Sequence, residues 1–383
     1  LVISAAIGGV QFFVPTAFIL AILSNVIPTA ESGVAMMSIP IQDARNLFTK
    51  KLIQVYKEKV SVTSFLRSFF PVVESMTKEV SIEVQRGTEK VAVDVERGTN
   101  GNRNTMSKST EKMFVPPYYW EYLTATEHRL YDVAIGSSDP GSITMLTGEL
   151  AEELFLLQQK IERAYELQCS QIFESGIVSL EAGTNINFNR KAESLVAFSA
   201  ATNWSIGTVD PYENLADGCR FIRTTGKSQG AVYNALMGKT AYSDFLNNTI
   251  VKERANIRNF TLDVINAPQR DSVGASFHGE VAAGEFRIRI WTYPEYYDNT
   301  DGDSTPYLND KKVVLLPENP NFKLAFGAVP QLLSDANRVP QQGAFLVQEF
   351  IDQRATSHEM HIKSAGVAIP TAVDQIYTVQ VVS

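Results

Sequence analysis

Residues 147–173 carry apolar side chains in one unbroken helical stripe: Leu150, Leu154, Leu157, Ile161 and Ala164 alternate at spacings of four and three. That period places them on one face of a helix. Glu149, Glu152 and Glu153 fall in the first turns on this reading, where the helix dipole favours negative charge. Gly176 marks the exit. At ~1.5 Å per residue such a helix is about 40 Å long. A helix of that length is a strut, and small enzymes seldom need one. It restricts the chain to folds built along a spine.

The segments before the strut read as extensions from a body. Residues 42–59 form an amphipathic helix, with Leu47, Leu52, Ile53 and Tyr56 at helical spacing. They lead to an apolar anchor of Phe65, Leu66, Phe69 and Phe70. The period then switches to two. Val80, Ile82 and Val84 share one face, as do Val91, Val93 and Val95, and Arg86-Gly87-Thr88-Glu89 between them is a turn signal. This predicts a β-hairpin, followed by a polar stretch over 97–112. So polar a hairpin has little to bury against its own domain and is expected to project. Pro116-Pro117 then sets an extended lead-in crowded with Phe114, Tyr118, Tyr119, Trp120 and Tyr122. These aromatics fit either a stacking platform for bases or a packing cluster at a domain or subunit contact. The second reading is adopted, because no basic residue lies within the cluster.

After the strut, residues 187–198 read as extended. Asp210-Pro211 opens a helix running to about 226, and a second helix is expected over 237–255. The remainder is β-rich, with strand-like stretches over 284–298, 312–319, 323–330, 358–370 and 375–383. The length, 383 residues, suggests two or three domains. Apolar residues at 44% and charged residues at 20% exclude a disordered, collagen-like or multi-spanning chain. The formal charge, 34 − 42 = −8, argues against a dedicated nucleic-acid binder.

No motif carries chemistry. Cys169 and Cys219 form no metal or disulfide spacing and read as two buried thiols in a reducing cytoplasm. Gly226-Lys227-Ser228 and Gly238-Lys239-Thr240 lack the first glycine of a phosphate loop, since Phe221 and Tyr233 stand there. The loop over 297–303 aligns Gly302 with the turn glycine of a calcium loop. It puts Tyr297 and Leu308 where the first and last ligands belong, so it reads as a solvated hairpin loop. His358 and His361 stand three apart in a strand-like context, not four apart on a helix. Catalytic residues, cofactor and metal site are all read as none.

The first charged residue is Glu31, and no Lys or Arg precedes Arg45. The apolar run is long enough to span a bilayer, but Gly8, Gly9 and Pro15 interrupt it and a signal peptide lacks its basic start. Met36 and Met37 precede a stretch that reads like a natural start, so residues 1–36 are expected to lie upstream of it. The rival readings are an apolar arm against a neighbouring subunit and a membrane anchor.

The order of these parts is informative. FLRSFFP (residues 65–71), VSIEVQRGTEKVAVDVERGT, FVPPYYWEYLTATE, the strut ELAEELFLLQQKIERAYELQCSQIFESG and the tail HEMHIKSAGVAIPTAVDQIYTVQVVS together resemble the lambda-like major capsid protein E family of tailed phages. The resemblance runs from about Met37 to the end. It implies an α+β chain of the Hong Kong 97-type capsid fold. In that fold 37–75 is an N-terminal arm, 76–112 an extended hairpin loop overlapping a neighbour, and 113–208 a peripheral domain with the spine helix. Residues 209–330 are an axial domain, and 331–383 return to the peripheral domain. It implies a non-enzymatic subunit that self-assembles into hexamers and pentamers of an icosahedral shell enclosing double-stranded DNA. Portal, scaffold and decoration proteins are the implied partners, with no small-molecule substrate. The implied location is the virion capsid, assembled in the bacterial host cytoplasm. Arg86, Arg97 and Arg103 on the hairpin are expected to pair with acidic residues of an adjacent subunit, near Glu149, Glu152 and Glu153. Some relatives cross-link Lys to Asn; Lys90, Lys108 or Lys112 are the lysines available, and nothing in the sequence marks a partner. An encapsulin-like compartment shell uses the same fold, and an α+β enzyme without a recognisable motif is the alternative from another class.

Overall fold

The strut is a 34-residue helix, α1 (Gly141–Glu174), about 50 Å long. The computed structural model describes residues 6–7, 10–11, 62–85, 109–126, 141–181, 183–257, 269–270, 274–332, 338–352 and 357–382. The chain divides into two units, 1–60 and 61–383. In the first, Ala6–Ile7 pairs antiparallel with Val10–Gln11. The expected amphipathic helix over 42–59 lies outside the described residues. Among the described residues no helix is long and apolar enough to cross a membrane.

Helix α1 begins six residues earlier than its apolar stripe suggested. No acidic residue lies in its first turn. Glu149, Glu152 and Glu153 therefore stand two turns or more from the N-terminus, beyond the reach of the dipole. The stripe marks only where the helix gains something to bury, and the helix itself extends back to the residue after Pro140.

The buried face of α1 is Ile161, Tyr165, Cys169, Ile172 and Phe173. Phe173 packs against Phe70 and Phe322, with centroids 5.5 and 6.0 Å away, and Phe70 stacks on Phe322 at 5.1 Å. Tyr165 reaches Ser364, with hydroxyl oxygens 2.5 Å apart. Gly366 makes room for it: a Cβ there would lie 2.7 Å from the Tyr165 ring. Gln168 donates to the Tyr119 hydroxyl (2.8 Å) and accepts from the Ala368 amide (3.1 Å). These contacts lay α1 across two small sheets. One is Leu346–Asp352, Ser357–Ser364 and Tyr119–Thr126, all antiparallel. The other is Gly366–Pro370, Phe322–Phe326 and Val72–Glu74, the last strand parallel to its neighbour.

α1 ends at Gly176, whose φ of +75° is cheap only without a side chain. Its last carbonyls are held by Arg190. One guanidinium nitrogen donates to the Phe173 carbonyl (2.8 Å), and the other to the Ser194 (3.0 Å) and Ile376 (3.1 Å) carbonyls.

A second core lies in a seven-stranded sheet. Its order is Gln269–Arg270, Ser276–Ala283, Phe286–Thr292, Val232–Met237, Lys312–Pro317, Tyr377–Gln380, Leu195–Ala197. Helix α2 (Pro211–Thr224) packs on it through Leu215, Cys219 and Ile222. Asp210 caps it, its carboxylate accepting from the Tyr212 amide at 2.9 Å, with Pro211 in the first turn. The last strand, Tyr377–Gln380, belongs to this sheet and not to the sheets holding Ser357–Ser364 and Gly366–Pro370.

The single helix expected over 237–255 is two helices, α3 (Lys239–Asn247) and α4 (Thr249–Ile257), and Met237 ends a strand. Asn248 breaks the run at ψ 135°. Its side chain donates to the Trp204 (3.1 Å) and Val209 (3.0 Å) carbonyls and accepts from the Ile250 amide (2.9 Å), capping α4. The projecting hairpin is also revised. Val80–Gln85 pairs with Ser109–Phe114, register Val80↔Phe114 to Gln85↔Ser109. Part of the polar stretch is thus a strand, because cross-strand pairing needs alternation on only one face. Residues 86–108, including the expected strand at 91–95, lie outside the described residues.

Replacing Gly366 by Ala pushes a methyl into the Tyr165 ring. Gly366→Ala is expected to lower stability by about 1–3 kcal/mol, read as a lower urea midpoint at unchanged slope. A wild-type midpoint would show that Tyr165 is free to retreat.

Candidate assembly surface

The sheet formed by Tyr119–Thr126, Ser357–Ser364 and Leu346–Asp352 has two different faces. Tyr119 and Ile362 point to the core, Tyr119 meeting Tyr165 edge-on at 5.4 Å. On the other face Trp120 lies opposite Lys363, and Tyr122 opposite His361. The Trp120 indole donates to His361 Nδ1 at 2.8 Å. An indole N–H only donates, so Nδ1 is the acceptor and Nε2 is left to donate to Glu359 at 3.0 Å. Tyr122 stacks on the imidazole at 5.3 Å, and Phe350 meets it edge-on at 4.8 Å. The Lys363 ammonium sits 4.8 Å from the Trp120 ring and donates to Gln348 at 2.8 Å. Burial holds its pKa below the usual lysine value.

The aromatic run thus splits. Phe114 packs on Phe188 (5.4 Å) and Tyr119 on α1, while Tyr118, Trp120 and Tyr122 remain 47%, 52% and 60% exposed. The cluster does have basic neighbours. Lys363 and His361 arrive from a strand some 240 residues away, which no local reading reveals.

More apolar surface is exposed at the base of the 80–114 ladder. Val72, Val73 and Met76, which precede it, Met113 in its second strand and Val115, which follows it, are all exposed. Among the described residues Val72–Glu74 is an edge strand, paired with Phe322–Phe326 alone. The base is set against Gly327, where a Cβ would lie 3.0 Å from the Lys78 carbonyl oxygen and 3.2 Å from Pro116. Phe155 and Leu156 are exposed on α1. These apolar side chains lie outside both hydrophobic cores.

Of the residues expected to form charged contacts, Arg86, Arg97 and Arg103 lie outside the described residues. Glu149 stands on α1, Glu152 is exposed and Glu153 half-buried. Lys90 and Lys108 also lie outside, and Lys112 is in the strand Ser109–Phe114. The loop over 299–303 closes a hairpin between Tyr296–Asp298 and Ser304–Pro306. Gly238 precedes α3 and Gly226 follows α2, both ordinary helix ends. His358 and His361 lie in a strand. Cys169 and Cys219 are buried and unbonded.

Sequence reasoning passed over Glu166. It is fully buried and accepts from the Leu66 amide (2.8 Å), the Arg67 amide (3.0 Å) and the Tyr293 hydroxyl (2.9 Å). The available signal was its place three residues before Cys169, on the flank of the apolar stripe. Arg190 was also missed, and nothing local marks it.

Among the described residues no three His, Cys, Asp or Glu gather to hold a metal ion. What the geometry offers is exposed apolar surface around a long spine and an extended ladder. The same architecture is found in a protein described as the capsid protein of a prophage of E. coli CFT073. That structure is 15% identical, covers 88% of this chain and 98% of its own, and superposes with a TM-score of 0.53. The capsid of a native GTA particle (11% identity, 94% and 96% covered, TM-score 0.44) is similar. So is the holo-SrpI encapsulin complex from Synechococcus elongatus PCC 7942 (12%, 91% and 97%, TM-score 0.41). No curated protein matches the chain by sequence. The fold is therefore the α+β Hong Kong 97-type fold of capsid subunits. The chain belongs to the phage major capsid protein E family, whose model matches residues 48–381. Its role is structural: it is a subunit of the virion capsid and assembles with copies of itself into a shell.

If the exposed apolar base of the ladder is covered in the shell, Met113→Glu separates folding from assembly. The variant is expected to keep subunit stability within about 0.5 kcal/mol and to lower the yield of particles in sedimentation. A wild-type yield would mean that Met113 faces solvent in the shell.

Proposed function

We propose that the shell is icosahedral, built of hexamers and pentamers around double-stranded DNA, and that the subunit has no catalytic activity or small-molecule substrate. The observation that carries this reading is the exposed apolar surface at the base of the 80–114 ladder and on α1. A single subunit leaves it wet, and a heterologous ring of copies covers it. Permanent interfaces of this kind bury about 2,000–5,000 Å², an area that extended elements supply without a large body.

The segments take separate roles. Residues 76–112 are the loop that overlaps a neighbour, 37–75 the arm, and 113–208 the peripheral domain along α1. Residues 209–330 are the axial domain around the ring axes, and 331–383 return to the peripheral domain except for Tyr377–Gln380, which stays with the axial sheet. Two hydrophobic cores favour a two-domain body, with Leu195–Ala197 lying in the axial sheet and Phe322–Phe326 in a sheet against α1. Portal, scaffold and decoration proteins are the partners in assembly, which takes place in the host cytoplasm. The net charge of −8 suits an inner face that holds DNA loosely.

Arg86, Arg97 and Arg103 steer the loop onto acidic residues of the next subunit, with Glu149, Glu152 and Glu153 on α1 as the candidates. Negative-stain microscopy of the expressed chain is expected to show uniform closed particles. Arg97→Glu, or its counterpart at 86 or 103, is expected to reduce them, and Glu152→Arg or Glu153→Arg in the same chain to restore them. If no pairing of reversals restores particles, the steering role is wrong. A monomer that persists across concentration and salt would overturn the shell reading altogether.

A further inference from the structure

Glu166 sits on the buried face of α1 with no exposed surface, and three donors converge on it. Two are the Leu66 and Arg67 amides of the turn over 62–70, and the third is the Tyr293 hydroxyl. Tyr293 is itself 2.7 Å from the Thr63 hydroxyl, so Thr63, Tyr293 and Glu166 form one chain of hydrogen bonds. This chain runs in either direction. With Glu166 ionised, Thr63 donates to Tyr293 and Tyr293 to the carboxylate. With Glu166 neutral, the acid donates to Tyr293 and Tyr293 to Thr63, while the other carboxyl oxygen accepts from Arg67. The Leu66 amide then meets the protonated oxygen, whose remaining lone pairs still accept it, so each of the three donors keeps a partner in both forms. Only the ionised form buries a charge, and a buried charge without a dedicated counter-ion is costly.

We propose that Glu166 is a proton-operated latch for residues 62–70: its neutral acid holds the turn on α1, and its ionised form loosens it.

The groups facing Glu166 support this. From the turn, Arg67 is the one basic side chain among the described residues of that element, and it is engaged with Glu162 at 3.7 Å. From α1 itself come Glu162, Arg163, Tyr165 and Cys169. From the segments packed across it come Tyr293 and Tyr307, with Glu295 beyond them. Burial raises the pKa of Tyr293, Tyr307 and Cys169, and the Glu166 charge raises each further. These are neutral neighbours that supply no balancing charge. Burial likewise lifts Glu166 to about 7 from 4.5, against the opposing pull of the two amides, Tyr293 and Arg67. A carboxyl that ionises near 4.5 when open and near 7 when closed binds its proton more tightly in the closed state. Its hold is therefore complete below pH 4.5 and is lost as pH rises through 7. Phe65, Leu66 and Phe70 remain buried and resist release, so loosening appears as more frequent opening of the turn, not as its detachment.

Hydrogen exchange read by mass spectrometry on the full chain tests this. After correction for the chemical exchange rate, opening of residues 62–70 is expected to rise about tenfold between pH 6 and pH 8.5, following the shift from 4.5 to about 7. The strand Val232–Met237, inside the seven-stranded sheet, serves as the reference. In Glu166→Gln, neutral at every pH, the rise is expected to vanish. A wild-type turn that follows the reference strand overturns the proposal even if the variant does not fold, and so does a rise that persists in Glu166→Gln.

Discussion

The interaction on which the rest of the subunit depends is the capture of the end of α1 by Arg190. A helix of this length delivers unpaired carbonyls at its C-terminus, and here they point into protein rather than water. One buried guanidinium takes the Phe173 carbonyl together with those of Ser194 and Ile376 and the Thr378 hydroxyl. It has no carboxylate partner among these contacts. Carbonyl dipoles hold it, and burial lowers its pKa to about 10, which still leaves it charged at neutral pH. Together with the Thr378 hydroxyl, which itself donates to the Phe173 carbonyl, it ties the spine to Tyr377–Gln380, an interior strand of the seven-stranded sheet. The two hydrophobic cores are thereby joined by polar contacts as well as by apolar packing.

A shell subunit has to settle two demands that conflict. It must hold its own shape before assembly, and it must leave apolar surface uncovered for its neighbours. The two cores meet the first demand with aromatic packing around Phe70, Phe173 and Phe322 and with helix α2 on its sheet. The second is met away from both cores. Val72, Val73, Met76, Met113 and Val115 are exposed at or beside the base of the two-stranded ladder, outside both cores. The Trp120 face is intermediate. Its rings are exposed, yet His361 and Lys363 beneath them are buried and hydrogen-bonded to Trp120, Glu359 and Gln348, which stiffens the face. Stiff surfaces lose less side-chain freedom when a partner arrives.

Much of this was legible from periodicity. The stripe from Leu150 to Ala164 announced the spine, period two announced the strand at Val80–Gln85, and Asp210-Pro211 announced α2. These signals are local, because each depends on a side chain's position relative to its own backbone. The misreadings are local signals outvoted from a distance. Asn248 looked like one more polar residue within a helix, but the Trp204 and Val209 carbonyls needed a donor and the helix broke there. Ser109–Phe114 looked like loop until Val80–Gln85 came to pair with it. The start of α1 was misplaced because an apolar stripe reports burial and not the extent of the helix.

The sequence by itself determined the main parts and their order: a spine, a strand at Val80–Gln85, a helix-and-sheet body and a strand-rich return. That order is a property of one dimension, and it sufficed to point to a capsid subunit. Only the tertiary structure decided which polar groups would be buried together. Glu166 with Leu66, Arg67 and Tyr293, Arg190 with Ile376, and Lys363 with Trp120 and Gln348 each join residues far apart in the chain. The cost of burying a charge depends on all the neighbours it finally has, and periodicity carries no record of them.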